Sequence, residues 1–454
     1  MKPHIEEIET TLNAFEIYQR LSNEKDCILL ESSRLHERQG RYSFIGWEPF
    51  ITFRYLEGTY KINGHSDVGN PFKALDRLIK QYAIDNTTQF PFVGGGMGYF
   101  SYDLVRDFEK LPEIARETVE LPTCYFNFYD QVIIVDHFAH KVFVSVIDIN
   151  KQPQVIFESV RKLLHSGEEA VRKQEQKLHP IRMESEFTKE SYMDTVEKVR
   201  QYIRQGDVYI ANLTQTLTAK VHQNPDDIYR ALRQLSPAPF SARMKLDHFD
   251  VISSSPERFM KIRGGCVETR PIKGTRPRGS NSEEDEKNKN ELCNSEKDRS
   301  ELLMIVDLER NDLSKVCKPH SILVKDPFTL ETYATVHHLV TTVEGQLMEG
   351  VSALDCVEAC FPGGSITGAP KLRAMEIIEE LEPTRRNLYT GCLGYLGFDG
   401  NIDLNIIIRT MVIHDGRAYI GVGGGITWES ECEAEYQETL DKAKALIKSL
   451  EGCL

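Results

Sequence analysis

Residues 12–22 carry apolar side chains at helical spacing, and the pattern then shifts to short runs at 27–32, 40–46 and 51–61 that read as strands. Residues 72–82 return to helical spacing. The stretch 94–103 opens with four glycines in five positions and ends in aromatic residues. It predicts a tight turn into a strand packed closely on its neighbours; as a phosphate cradle it lacks a helix with a following lysine or serine. Residues 132–148 read as a hairpin. From 165 to 186 the chain is charged and nearly free of large apolar residues, which predicts a boundary. Beyond it come a helix over 187–205 ending at Gly206, a strand over 208–215, and long helices over 284–308 and 429–450.

The most informative stretch lies between those helices. Residues 259–263 and 266–270 read as two strands joined by the two-residue turn Gly264-Gly265. With Arg263 opposite Cys266, the register carries Glu257 to Ile272, one residue from Lys273. Strict alternation would turn Lys273 and Glu257 to opposite faces. Pro271 cannot donate to a ladder, so a bulge or strand end there would re-aim the lysine. The spacing suits a carboxyl–amine pair, and it equally suits a solvated loop bearing Lys273, Arg276 and Arg278.

Composition narrows the setting. At 454 residues with 40% apolar side chains, two or three domains or one large intertwined unit are possible. A net charge of −14 argues against nucleic acid or an anionic membrane as partner. No apolar run approaches membrane-spanning length, and the acidic first residues lack a signal-peptide core. Ten cysteines without a paired framework fit a reduced, cytoplasmic protein.

An acidic protein that binds an anion must gather positive charge or metal locally. Asp298 and Glu301 are three residues apart on one predicted helix, as are Glu435 and Glu438 on another, with Lys442 four further on. Each spacing places a carboxylate pair on one helical face, and two opposed pairs make a hard-oxygen site suited to Mg²⁺. Acidic helices more often simply present solvated glutamates. Pro370 stands at the first turn of a helix ending near 382, so the loop 360–369 offers free backbone amides. Residues 421–426 offer a second set, and Arg409, at the end of a strand over 406–410, adds a planar fork for a carboxylate.

Ser255-Pro-Glu-Arg-Phe followed by Thr269-Arg-Pro-Ile-Lys-Gly-Thr resembles the chorismate-utilising enzymes. The resemblance runs through nearly the whole chain, weakly before residue 185 and densely after it. Anthranilate-forming relatives typically read Pro-Ile-Ala-Gly-Thr, so Lys273 points to the branch that makes 4-amino-4-deoxychorismate for folate. The resemblance implies an α+β fold of two intertwined subdomains, antiparallel sheets forming a sandwich surrounded by helices. It divides the chain into an N-terminal region 1–165, a polar linker 166–186 and a chorismate-binding region 187–450.

It also implies roles. Glu301 and Glu438 would bind Mg²⁺ directly, with Asp298 and Glu435 close by. Arg409, Tyr395, Gly423, Gly424, Gly425 and Lys442 would hold the enolpyruvyl side of chorismate. Ser365, Ile366, Thr367 and Gly368 would hold the ring side, and His338 would contact the reacting ring. Ser32, Arg41, Tyr42, Ser43 and Phe44, with Pro239, Phe240 and Ser241, match a family pocket for tryptophan. Where isochorismate-forming relatives carry a lysine that activates water, this chain has Ile210, which moves no proton.

The reaction so implied has Lys273 attack the ring while Glu257 gives a proton to the departing 4-hydroxyl. Nothing in the chain resembles a glutaminase, so ammonia is expected from a separate glutamine amidotransferase subunit. The alternatives are an anthranilate-forming enzyme and an idle amino-acid-binding subunit.

Overall fold

The computed structural model describes the chain except residues 23, 25, 36–38, 166–180, 333–335 and 453–454. Most of the expected linker 166–186 therefore lies outside the described residues. Two twelve-stranded antiparallel sheets form the body. One runs from Pro3–Ile8 through Lys141–Ile147, Gln131–Asp136, Tyr42–Gly46, Ile28–Glu31, Phe240–Lys245, Phe249–Ser255, Thr410–His414 and Arg417–Ile426 to Ile210–Lys220. The other runs from Ile272–Pro277 through Val336–Gln346, Cys266–Thr269, Arg258–Arg263, Ile402–Ile406, Cys392–Gly397, Gly95–Phe100 and Cys124–Tyr129 to Ile51–Leu56. Each sheet takes strands from both sides of 166–186, so the regions 1–165 and 187–450 are interwoven.

Period-two alternation fixes how the layers stack. Val132 and Ile134 enter the core between the sheets, whereas Ile133 and Val135 join a second core beneath helices Ala14–Leu21, Pro153–His165, Pro225–Leu235 and Cys432–Glu451. A one-residue slip would exchange the two sets. Each buried Val, Ile or Phe contributes about 1.5–3 kcal/mol, so the register is strongly held. The glycine-rich strand is a close-packing device, as its sequence suggests. A Cβ on Gly98 would stand 2.0 Å from the Tyr125 carbonyl oxygen.

Three elements differ from the sequence expectation. The helix over 284–308 is two helices, Ser282–Asn294 and Glu296–Ser314, broken at Ser295. The reason is local: Ser295 Oγ accepts from the Asp298 amide at 3.2 Å and starts a new helix. Arg409 does not end a strand over 406–410. It lies in the passage between Ile402–Ile406 in one sheet and Thr410–His414 in the other, at φ +49°. Pro370 is the N-cap of Lys371–Leu381, just outside the first turn.

Candidate active site

The site begins with a register fault. Cys266–Thr269 and Ile272–Pro277 both pair with Val336–Gln346, and Lys273 lies opposite Leu339. Thr275 then lies opposite His338, so Gly274 is one residue too many. The bulge sits there, at φ +74°, and not at Pro271. Helices pack straight onto it: a Cβ on Gly274 would meet Leu292 Cδ1 at 2.7 Å and Asp298 Cγ at 2.9 Å.

Lys273 extends to the glycine strand Arg417–Ile426. Its Nζ lies 3.5 Å from where Gly425 would carry a Cβ, with Ile210 Cδ1 2.9 Å from the same point. Among the described residues it makes no side-chain hydrogen bond or ion pair. The hairpin Arg258–Arg263/Cys266–Thr269 forms in the expected register, but its ladder stops at Lys261 and Glu268. Glu257 binds elsewhere through its backbone, its carbonyl accepting from the Ile406 amide at 3.0 Å. The two side chains still share one cleft. Burial raises the Glu257 carboxyl above its usual range, while the Ser365 hydroxyl and the charges of Lys273, Lys442 and Arg409 oppose the shift. Arg409 opens to solvent and forms no side-chain hydrogen bond among the described residues.

Helices Glu296–Ser314 and Cys432–Glu451 bring their carboxylates to the same cleft. Glu301 is raised by burial and by the facing Asp298 and Glu438, against Lys273 and Lys297. Glu435 is raised by burial and by Glu438. Glu438 is lowered: its burial is outweighed by Lys442, 2.6 Å away, with Lys273 and Lys297 adding to the effect. Lys442 also donates to the Gly423 carbonyl at 2.8 Å. Gly424 is the floor of this group, since its Cβ position lies 3.3 Å from Glu435, 3.5 Å from Glu438 and 3.7 Å from Lys442. Asp298 is engaged by Arg276 at 3.1 Å. Among the described residues no three His, Cys, Asp or Glu side chains converge to metal-binding distance.

The remaining candidates divide. His338 pairs its Nδ1 with Thr275 Oγ1 at 2.9 Å, and burial, with Arg409 nearby, lowers it to about 4, so the ring is neutral at pH 7. Ser365 faces Glu257, but Ile366 lies in the core and Thr367 Oγ1 turns inward to the Gly363 carbonyl at 3.0 Å. Gly368 pairs with Ala211 in the sheet, and a Cβ on Gly423 would point at Leu213 and Thr214.

Tyr395 is elsewhere altogether. It packs on Phe44 and Phe92, with centroids 5.5 and 4.6 Å away, and lines a second cavity of about 210 Å³. That cavity gathers Ser32, Arg41, Tyr42, Phe44, Pro239, Phe240 and Ser241. Ser43 stands behind it, its Oγ accepting from the Ser32 amide at 3.0 Å. Arg258, absent from the sequence reading, forms part of the wall. It donates to Asp403 at 2.8 Å and lies over the Phe240 ring at 5.0 Å. The unused signal was its place beside Glu257, since alternation sends the two to opposite faces.

The sequence profile described as chorismate binding enzyme matches residues 25–448. The chain is 37% identical to anthranilate synthase component 1 of Acetivibrio thermocellus, over 98% of this chain and 93% of that one. It is 43% identical to aminodeoxychorismate synthase component 1 of Klebsiella aerogenes, over 95% of each. Its fold matches the crystal structure of anthranilate synthase component I from Streptococcus pneumoniae with a TM-score of 0.81, at 31% identity, covering 91% of this chain and 94% of that one.

Proposed function

The chain belongs to the family of chorismate binding enzymes, and we propose that it makes 4-amino-4-deoxychorismate from chorismate and ammonia, with Lys273 as nucleophile. The observation that carries this is the Lys273 amine, without a side-chain partner, in the same cleft as the buried acid Glu257. Nζ bonds to the ring carbon beside the carboxylate-bearing carbon. The ring double bond shifts, and the C4–O bond breaks as Glu257 gives its proton to the departing hydroxyl. Ammonia adds at C4, the double bonds return, and the bond to Nζ breaks. The enolpyruvyl group stays on the product. The raised Glu257 carboxyl suits its role, because a proton donor must retain its proton toward neutral pH.

Arg409, open to the cleft and without a side-chain hydrogen bond, suits a substrate carboxylate. The acidic face suits a magnesium ion in kind: Glu301, Glu435 and Glu438 are hard-oxygen donors, and their mutual repulsion is what a cation would relieve. Glu301 and Glu438 would hold it, with Asp298 and Glu435 near. A bound magnesium would neutralise the ring carboxylate and draw electron density from the conjugated acid. Ile210 beside Lys273 leaves no group there to activate water, which disfavours hydroxylation of the ring.

Ammonia would come from a separate glutamine amidotransferase subunit, a reading supported by relatives named as component 1 of their enzymes. The second cavity would hold tryptophan. Anthranilate formation is the second reading, favoured by the 37% identity over nearly the whole chain to a protein of that name. Incubation of the chain with chorismate and ammonium, followed by product identification, decides between them. The expected product retains enolpyruvate; anthranilate with released pyruvate would overturn the proposal.

A further inference from the structure

We infer that Glu309 is a reserve acid that returns a proton to Glu257 after each turnover. The inference rests on the reading of Glu257 as donor to the departing hydroxyl. Glu309 lies on Glu296–Ser314, eight residues beyond Glu301, and lines a small cavity with Phe259, Met260, Thr269, Cys360 and Gly364. Its carboxyl accepts from Thr269 Oγ1 at 2.5 Å. It has no cation of its own. The nearest, Lys371, pairs with Asp312 at 2.5 Å and donates to the Cys360 and Pro362 carbonyls at 2.8 Å each. Asp312 also pairs with Lys315 at 3.0 Å.

The cavity leads toward the reaction. Gly364, in its wall, packs on Leu308 of the Glu309 helix and is joined to Ser365, whose hydroxyl attends Glu257. The turn Gly364–Ile366 thus touches both carboxyl groups. Burial pushes Glu309 up to about 8; the Thr269 hydrogen bond opposes this, Glu257 and Asp312 add to it, and Lys371 opposes it. Glu257 meets Lys273, Lys442 and Arg409 on its cleft side. Two carboxyls that feel each other in this way titrate as a pair, so a proton lost by one is drawn from the other.

Once Glu257 has protonated the hydroxyl, it is a carboxylate. The O–H bond of Glu309 breaks as one forms on Glu257, through the Ser365 hydroxyl or water in the cavity, and Glu309 regains its proton from solvent. Glu309 touches no substrate and is needed only to reset the cycle.

The test separates the first cycle from those after it. Chorismate without ammonia should load Glu309→Gln on Lys273 at the wild-type rate, read by mass spectrometry. Steady-state kcat with ammonium should fall by about tenfold or more, with KM for chorismate unchanged. The wild-type difference in pH profile near pH 8 should be absent in the variant. Thr269→Val, which leaves the acid but removes its hydrogen bond, should keep kcat within about threefold and shift that limb to higher pH. Equal kcat and pH profiles in Glu309→Gln and wild type would overturn the inference, as would loss of adduct and turnover together in a folded Glu309→Gln. Absence of any adduct in the wild type would instead strike at the nucleophile reading beneath it.

Discussion

Glu257 and Arg258 are consecutive residues that serve different cavities. The carboxyl of Glu257 stands beside Ser365 and Lys273, while Arg258 walls the 210 Å³ cavity and is tied to Asp403 at 2.8 Å. One strand end therefore belongs to both sites. Its ladder with Ile402–Ile406 is irregular between Arg258 and Met260, the place where a strand is least constrained.

A ligand filling the second cavity should stabilise the protein by mass action, about 2.7 kcal/mol at a hundred times its Kd. Calorimetry with tryptophan is expected to show binding, and a thermal scan a raised Tm. Ser32 donates to the Tyr42 and Pro239 carbonyls at 2.9 and 3.2 Å, so Ser32→Ala loosens two walls at once and should weaken binding about tenfold. If neither protein binds any amino acid, the cavity is only a packing feature.

How much of this was legible in the sequence depends on the range of the signal. The Gly264-Gly265 hairpin register came out as expected because a two-residue turn fixes it locally. The break at Ser295 was also local: Ser295-Glu-Lys-Asp298 is a helix-start pattern hidden inside a longer periodic run. The bulge at Gly274 was not legible as such, since a bulge depends on the partner strand, and Val336–Gln346 lies some sixty residues away. Tyr395 misled for a different reason. Its strand alternates between two cavities, and which face meets which cavity is a tertiary fact. Glu309 hid in plain view, because an acid on a charged helix looks solvated until the opposite wall is known.

The acidic face should be sensitive to loss of one charge. Glu301→Gln and Glu438→Gln are each expected to lower kcat by about a hundredfold or more, with circular dichroism unchanged, because several kcal/mol of charge stabilisation rests on that face. Added magnesium should restore chelated wild-type enzyme and neither variant. Full turnover by both variants in the presence of a chelator would remove the metal from the mechanism.

His338 gives a pH prediction whose sign can be worked out. Its folded value is about 4 and its ordinary value 6.5, so between these the unfolded chain binds the extra proton. Stability then rises with pH through that window and is complete above it, a single-site contribution of about 2 kcal/mol between pH 5 and pH 7. Denaturant titrations of the wild type should show that slope. His338→Asn, which keeps a hydrogen-bonding partner for Thr275, should flatten it. An unchanged slope would mean that His338 titrates normally.

Lys273 separates the two closest enzymatic readings. If it is a nucleophile, chorismate without ammonia loads the protein covalently, and peptide mapping places the adduct within residues 268–278. Lys273→Ala should lose the adduct entirely. It need not lose all activity, because Arg409 and the acidic face remain to hold chorismate, and ammonia is then free to reach the ring carbon that the lysine occupied. Amination at that carbon followed by loss of pyruvate gives anthranilate, so a change of product is expected along with a lower rate. Lys273→Arg should be worse than Lys273→Ala. A permanently charged, bulky guanidinium would stand against Gly425 and Ile210, where Nζ now lies 3.5 Å from the Gly425 Cβ position, blocking the carbon without attacking it. A wild-type protein that stays unmodified under trapping conditions, together with a fully active Lys273→Ala enzyme making the same product, would refute the covalent route.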